Sequence, residues 1–124
     1  MQTPGLNHLI LTISDLAQSR TFYGEVLGFA LHDIADGFYF VSGAVGFFFF
    51  LSHEPLAGDR FSEFRIGLDH LAFAAPDEAA LHALADQLAA SGIATQGVEV
   101  YHTGHKYVAF RDPDNIQLEY WLPK

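Results

Sequence analysis

The chain has 124 residues, 50% of them apolar and 15% aromatic, which is enough for one well-filled core and too few for two conventional domains. A net charge of −9 with only six Lys and Arg opposes nucleic-acid binding, and no apolar run approaches the roughly 18 residues of a membrane span. There is no cysteine, so any metal must be held by His and carboxylate side chains. We therefore expect one domain over residues 1–124, soluble and cytoplasmic, with a small-molecule partner.

The chain opens with an apolar segment at residues 6–13 that predicts a buried strand. Asp15 follows as a good N-cap for a helix over residues 16–27, whose large side chains recur at helical spacing. Gly28 is placed to end that helix.

Three apolar runs come next, at residues 29–34, 38–42 and 45–52, with Asp36-Gly37 and Ser42-Gly43 as turn signals between them. The third run contains four consecutive phenylalanines and no polar alternation, so both of its faces should be covered. Either this strand is core packed beneath a helix, or one face, with Phe47 and Phe49, lines an aromatic substrate pocket.

The second half of the chain repeats the first after a linker at residues 53–66. Gly67-Leu68-Asp69-His70-Leu71 matches Gly5-Leu6-Asn7-His8-Leu9 at a distance of 62 positions, and Asp77 matches Asp15 at the same distance. A helix ending at Gly92 and runs at 93–100, 105–111 and 116–122 follow. The order of elements is thus βαβββ twice, which predicts an α+β fold of two modules, 5–52 and 67–122, whose sheets pack or curl together within one chain or by exchange in a dimer.

Two histidines and one glutamate stand out on these apolar strands. His8 and His70 occupy equivalent positions of the repeat, and Glu119 lies between large apolar residues of the last run. A buried carboxylate is costly, so Glu119 should reach solvent, meet a cation or bind a metal. A single strand histidine is usually a hydrogen-bonded structural residue, but two related by the duplication can meet near its axis, and we predict that His8, His70 and Glu119 bind a divalent metal.

Further polar residues precede the last strand. Tyr101, His105 and Tyr107 flank the turn into the run 105–111, where alternation puts His105 and Tyr107 on the face of Ala109. They are candidates for proton transfer or substrate orientation, with a hydrated turn beside an edge strand as the alternative.

The paired βαβββ pattern, the two early histidines and Asp112-Pro113-Asp114-Asn115 with Gln117-Leu118-Glu119 resemble the vicinal oxygen chelate superfamily over residues 5–122. That superfamily includes glyoxalases, bleomycin resistance proteins and extradiol dioxygenases. The resemblance implies a glyoxalase-like curved mixed sheet around a metal-binding cleft, with Fe²⁺, Mn²⁺, Zn²⁺ or Ni²⁺ chelating vicinal oxygens of the substrate and stabilising an oxyanion or enolate. A homodimer is also implied.

Departures from its better-known members bear on the reaction. Glyoxalase I draws a fourth ligand from the strand that is a phenylalanine run here, so a standard four-ligand glyoxalase I is not expected. Three-ligand relatives keep a tyrosine ten positions before the terminal Glu, where this chain has Ala109, with Tyr107 two residues away on the same face. We therefore expect a lyase, isomerase or dioxygenase type of enzyme, with catalytic candidates Glu119, Tyr107 and His105 and a substrate pocket that includes Tyr101 and Ala109. The alternative is a metal-free resistance protein that sequesters an aromatic molecule.

Overall fold

The structure is a computed structural model that describes residues 2–123. The first module consists of β1 (His8–Ile13), α1 (Leu16–Arg20) continued by a π-helical segment (Thr21–Val26), β2 (His32–Ile34), β3 (Gly37–Ser42) and β4 (Val45–Leu51). The second consists of β5 (Leu71–Ala74), α2 (Glu78–Ala90), β6 (Val98–Val100), β7 (Lys106–Arg111) and β8 (Gln117–Trp121). The predicted α+β fold with two βαβββ modules is confirmed.

Each module forms a four-stranded mixed sheet of the same topology. The strand orders are β1-β4-β3-β2 and β5-β8-β7-β6, and in both the first strand pairs in parallel with the last while the other pairs are antiparallel. The chain divides into two compact units, one up to Asp59 and one from Arg60 onward, and this boundary falls inside the predicted linker. The prediction that both modules form one domain stays a prediction.

The core of the first unit lies between its helix and one face of its sheet. Tyr23 is fully buried, and its ring lies 4.4 Å from that of Phe49 and 6.0 Å from that of Phe40. Because side chains alternate along a strand, Phe47 is on this same face of β4, and it is 8% exposed. One face of the phenylalanine run, with Phe47 and Phe49, therefore belongs to the core beneath the helix, which agrees with the first of the two interpretations of this run.

The core of the second unit is built in the same way. Leu81, Leu84 and Leu88 form the buried stripe of α2, and Val108 and Leu118 are the fully buried positions of the sheet. The predicted caps are present in both modules, since Asp15 accepts a hydrogen bond from the backbone N–H of Gln18 and Asp77 accepts one from Ala80. Neither helix of the described residues is long and apolar enough to cross a membrane.

The first helix differs from the regular α-helix expected over residues 16–27. From Thr21 it widens to π-helical hydrogen bonds, such as the one from the N–H of Leu27 to the carbonyl of Phe22 at 3.0 Å. The adjacent residues Phe22 and Tyr23 are both buried, as their helical spacing predicts. Gly28 then adopts a φ of 81°, the left-handed conformation that ends helices.

Candidate functional site

Glu119 lies in the middle of β8, on the face of the sheet opposite Leu118 and the α2 side. Its register partners are Ala72 on β5 and Ala109 on β7, so small side chains stand on both sides of it. The residue is nevertheless only 7% exposed, because longer side chains from neighbouring positions cover the carboxylate.

Three nitrogen atoms contact this carboxylate. The indole Nε1 of Trp121 donates to Oε1 at 2.7 Å, the amide Nε2 of Gln117 donates to Oε2 at 3.3 Å, and Nε2 of His70 lies 3.1 Å from Oε1. Of the three fates expected for Glu119, exposure to solvent is thus excluded. Both oxygens of the buried carboxylate have partners, which is the condition for keeping such a group in an apolar strand.

The ring of His70 lies between two carboxylates. Its Nδ1 is 2.6 Å from Oδ1 of Asp69, while its Nε2 faces Glu119. A neutral imidazole donates from one nitrogen only, so with Nδ1–H given to Asp69 the Nε2 lone pair would point at another acceptor. A neutral His70 can therefore donate to only one of its two carboxylate neighbours, Asp69 or Glu119.

His8 repeats this arrangement in the first unit, with Nδ1 at 2.7 Å from Oδ1 of Asn7. A hydrogen bond that fixes Nδ1 leaves Nε2 as the free nitrogen, as in metal-binding histidines. One expectation needs correction: the histidines are not interior strand residues. His8 is the first residue of β1 and His70 precedes β5 by one position, and both are exposed.

The pair of His70 and Glu119 fits a metal ion geometrically. Two ligand atoms each about 2.1 Å from an ion lie roughly 3.0 Å apart in octahedral and roughly 3.4 Å apart in tetrahedral coordination, and the observed separation of Nε2 from Oε1 is 3.1 Å. Residues 2–123 nevertheless contain no group of three or more His, Asp or Glu side chains that could hold an ion. The structure thus brings two of the three predicted ligands together, and the participation of His8 stays a prediction.

An aromatic cluster adjoins Glu119 through Trp121. Tyr107 stacks on the indole at 5.1 Å, and the rings of Tyr101 and His105 lie 5.4 and 5.6 Å from it. Three candidates from the sequence are therefore gathered around one residue. Tyr101 is the most open of them, at 42% exposure.

The ionisation of Tyr107 is shifted in one direction. Partial burial, followed by the negative charges of Glu99 and Glu119, raises the pKa of its hydroxyl above the ordinary value of 10.0. Tyr107 is therefore protonated at neutral pH and can act there as a hydrogen-bond donor rather than as a base. Nδ1 of His105 is engaged with the Thr103 hydroxyl at 2.6 Å, so its Nε2 is the nitrogen left for proton transfer.

The aromatic residue beside His8 is Phe48. The two rings meet edge to face at 5.9 Å, whereas Phe47 and Phe49 belong to the core on the opposite face of β4. Gly46 pairs with His8 in the register, and a Cβ there would come within 3.0 Å of the Phe48 ring. The structure therefore moves the aromatic lining of this face from the predicted Phe47 and Phe49 to Phe48, because alternation along the strand separates them.

Three contributors to the site were not found from the sequence: Asp69, Gln117 and Trp121. Asp69 was detectable, since it precedes His70 as Asn7 precedes His8 and both side chains contact the adjacent ring. Gln117 and Trp121 lie two residues on either side of Glu119, which places all three on one face. Their hydrogen bonds to the carboxylate depend on side-chain conformations that spacing does not specify.

A protein-family model and a bacterial protein both match nearly the whole chain. Residues 5–120 match the family model described as Glyoxalase/Bleomycin resistance protein/Dioxygenase superfamily. The chain is 28% identical to the uncharacterized protein YqjT of Bacillus subtilis (strain 168), over 95% of this chain and 98% of that protein.

Solved structures share the fold across the whole chain. A glyoxylase/bleomycin resistance protein/dioxygenase domain from Frankia sp. EAN1pec is 29% identical, with a TM-score of 0.81, covering 99% of this chain and 100% of that one. Lactoylglutathione lyase from Agrobacterium tumefaciens is 20% identical with a TM-score of 0.74, covering 98% and 96%. This second similarity concerns the fold alone.

Proposed function

This chain belongs to the Glyoxalase/Bleomycin resistance protein/Dioxygenase superfamily, and we propose that it is a divalent-metal-dependent enzyme of lyase, isomerase or dioxygenase type. Its substrate would be a small molecule with vicinal oxygens. The ion would be Fe²⁺, Mn²⁺, Zn²⁺ or Ni²⁺, held by His70, Glu119 and His8. When bound, it would supply Lewis acidity that stabilises an oxyanion or enolate of the substrate.

The observation that carries the proposal is the contact between His70 and Glu119. Nε2 of His70 and Oε1 of Glu119 are 3.1 Å apart, and Nδ1 of His70 lies 2.6 Å from Asp69, which supports a site where Nε2 and Oε1 bind one ion. A carboxylate that contacts the other ring nitrogen of a ligand histidine is a common feature of metal sites.

The neighbouring residues supply orientation and proton handling. Tyr107, held protonated by its raised pKa, would donate a hydrogen bond to a substrate oxygen. His105 would move a proton at Nε2, since Nδ1 is bound to Thr103. Ala109, opposite Glu119 on β7, leaves room for a substrate beside the carboxylate. The exposed ring of Tyr101 would contact an apolar or aromatic part of that substrate.

Metal analysis tests this assignment directly. Protein reconstituted with Zn²⁺ and freed of excess ion should retain about one ion per chain. His70→Ala and Glu119→Gln should retain far less, while His82→Ala, on the exposed surface of α2, should match the wild type. Wild-type protein without bound zinc, or both site variants with full zinc content, would contradict the proposal.

The proposed third ligand, His8, could come from the same chain as His70 and Glu119 or from a second copy in a dimer. The proposal includes a homodimer in the cytoplasm, in which His8 reaches the pair from the same chain or from a second copy. Co-expression of His8→Ala with Glu119→Gln, each carrying its own tag, distinguishes these arrangements. If sites form across the dimer, the mixed dimer contains one intact site and binds zinc. If each chain builds its own site, no zinc is retained.

A second candidate function has one observation in its favour. Both oxygens of Glu119 accept hydrogen bonds from nitrogen donors of the chain, and Tyr101 in the aromatic cluster around Trp121 is exposed. A metal-free protein that sequesters an aromatic small molecule would use that cluster. Its thermal stabilisation by an aromatic ligand would be unchanged by EDTA, whereas loss of the stabilisation in EDTA would eliminate this candidate.

A further inference from the structure

A chain of polar side chains leads from the segment before β5 to Glu119. Glu63 binds Arg111 through two parallel hydrogen bonds of 2.8 Å. The Nη2 of Arg111 donates to Oε1 of Gln117 at 3.3 Å, and Nε2 of Gln117 donates to Oε2 of Glu119 at 3.3 Å. All four residues lie in the second unit.

The segment that carries Glu63 is fastened to the turn between β7 and β8. The N–H of Phe61 donates to the carbonyl of Asp114 at 3.0 Å, and the side-chain amide of Asn115 donates to the carbonyl of Phe61 at 2.9 Å. Arg111 also donates to the carbonyl of Asn115 at 3.1 Å. The hydrogen bonds of Phe61 to the β7–β8 turn therefore hold the segment of Glu63 near Arg111, in addition to the attraction between the two charges.

The direction of the hydrogen bonds along this chain is fixed by chemistry. A guanidinium donates and never accepts, so the amide of Gln117 must turn its oxygen to Arg111 and its NH₂ to Glu119. The reverse orientation would place an NH₂ against a cation and an amide oxygen against a carboxylate. Bidentate pairing with Glu63 in turn holds the guanidinium plane in position.

The carboxylate of Glu119 is consequently held at both oxygens by different groups. Oε2 accepts a hydrogen bond from Gln117. Oε1 accepts one from the indole N–H of Trp121 and also faces Nε2 of His70. We propose that Glu63, Arg111 and Gln117 form a positioning relay that keeps Glu119 a ligand through Oε1 alone. This inference rests on the proposed metal site, and it assigns the three residues a role in ligand geometry in addition to their structural one.

The first test measures Zn²⁺ affinity of the apoprotein by isothermal titration calorimetry. Gln117→Leu keeps the approximate volume and removes the donor to Oε2, and loss of such a partner typically weakens metal binding about 10- to 100-fold. Glu63→Gln should weaken it less, because Arg111 keeps its bond to Asn115. The matched control is Glu78→Gln, which breaks the ion pair with Lys106 in the same unit and should leave zinc affinity unchanged.

A spectroscopic measurement separates positioning from stability. In the Co²⁺-loaded protein, Gln117→Leu should alter the visible absorption spectrum, because a carboxylate free to bind through both oxygens changes the coordination number. The double variant Glu63→Arg/Arg111→Glu restores the ion pair with reversed polarity. A carboxylate at position 111 would turn the NH₂ of Gln117 away from Glu119. The zinc affinity of the double variant should therefore be lower than that of the wild type, although the ion pair is kept.

The affinity of Gln117→Leu decides the proposal. Zinc affinity within about twofold of the wild type, with an unchanged Co²⁺ spectrum, would overturn the relay while leaving the metal site intact. A wild-type zinc affinity in the charge-reversed double variant would likewise overturn the relay, because it would show that the orientation of the Gln117 amide does not affect metal binding. If wild-type protein binds neither Zn²⁺ nor Co²⁺, the proposed function itself fails, and the relay fails with it.

Discussion

The hydrogen bond from Trp121 to Glu119 can be measured in the metal-free protein with a double-mutant cycle. Trp121→Phe removes the indole N–H and keeps an aromatic ring for Tyr107 to stack on. Glu119→Met removes the carboxylate and keeps an unbranched side chain of similar length. The cycle is completed by the double variant, with unfolding by urea in the presence of EDTA as the assay.

The expected magnitude follows from the geometry. The bond is 2.7 Å long and its acceptor belongs to a residue that is 7% exposed, and hydrogen bonds to charged groups contribute about 1.5–3 kcal/mol. Trp121 is partly exposed, so we expect a coupling energy at the lower end, about 1.5 kcal/mol. Trp121→Phe alone should cost more than this, since ring area is lost as well.

The cycle separates the hydrogen bond from the packing of the indole. Lost ring area lowers the free energy of unfolding equally whether residue 119 is Glu or Met, and it cancels in the coupling term. Additivity within about 0.4 kcal/mol is what independent sites show. A coupling energy that small would refute the assignment of Trp121 as the residue that holds Oε1.

Three further predictions concern other parts of the chain. Ser19 is fully buried with no hydrogen-bond partner for its hydroxyl among the described residues, so Ser19→Ala should raise the free energy of unfolding by about 1 kcal/mol, measured by urea denaturation. Phe49→Ala should lower it by about 3–5 kcal/mol, because the fully buried ring packs on Tyr23, whereas Phe48→Ala, on the partly exposed face, should cost clearly less. The hydrogen bonds from Arg111 lower the pKa of Glu63 from 4.5 to about 2. The ion pair should therefore stabilise the fold fully above pH 4.5 and lose that effect as the pH falls towards 2, so the difference in stability between wild type and Glu63→Gln should shrink over that interval in acid titrations of unfolding.

The sequence alone determined the architecture of the modules. The periods of the strands and helices and the caps Asp15 and Asp77 are local signals, and local hydrogen bonds form the elements they predict. The repeat at 62 positions then indicates that the second module has the same order of elements as the first. That His70 and Glu119 belong to one site was predicted from the repeat and the family resemblance, and the pairing of β5 with β8 brings the two side chains into contact. These features depend on residue type and spacing, which the sequence states outright.

Tertiary structure decided how the carboxylate is held and which faces are used. Nothing in the spacing shows that the indole of Trp121 and the amide of Gln117 both turn towards Glu119, since each side chain has several rotamers and only the packed surroundings select one. The same holds for the assignment of Phe48 rather than Phe47 and Phe49 to the face of His8, because four identical residues in a row carry no alternation for a pattern to detect. Arg111 is the clearest case: its partner Glu63 is 48 residues away, and only the folded chain brings the two together near Gln117 and Glu119.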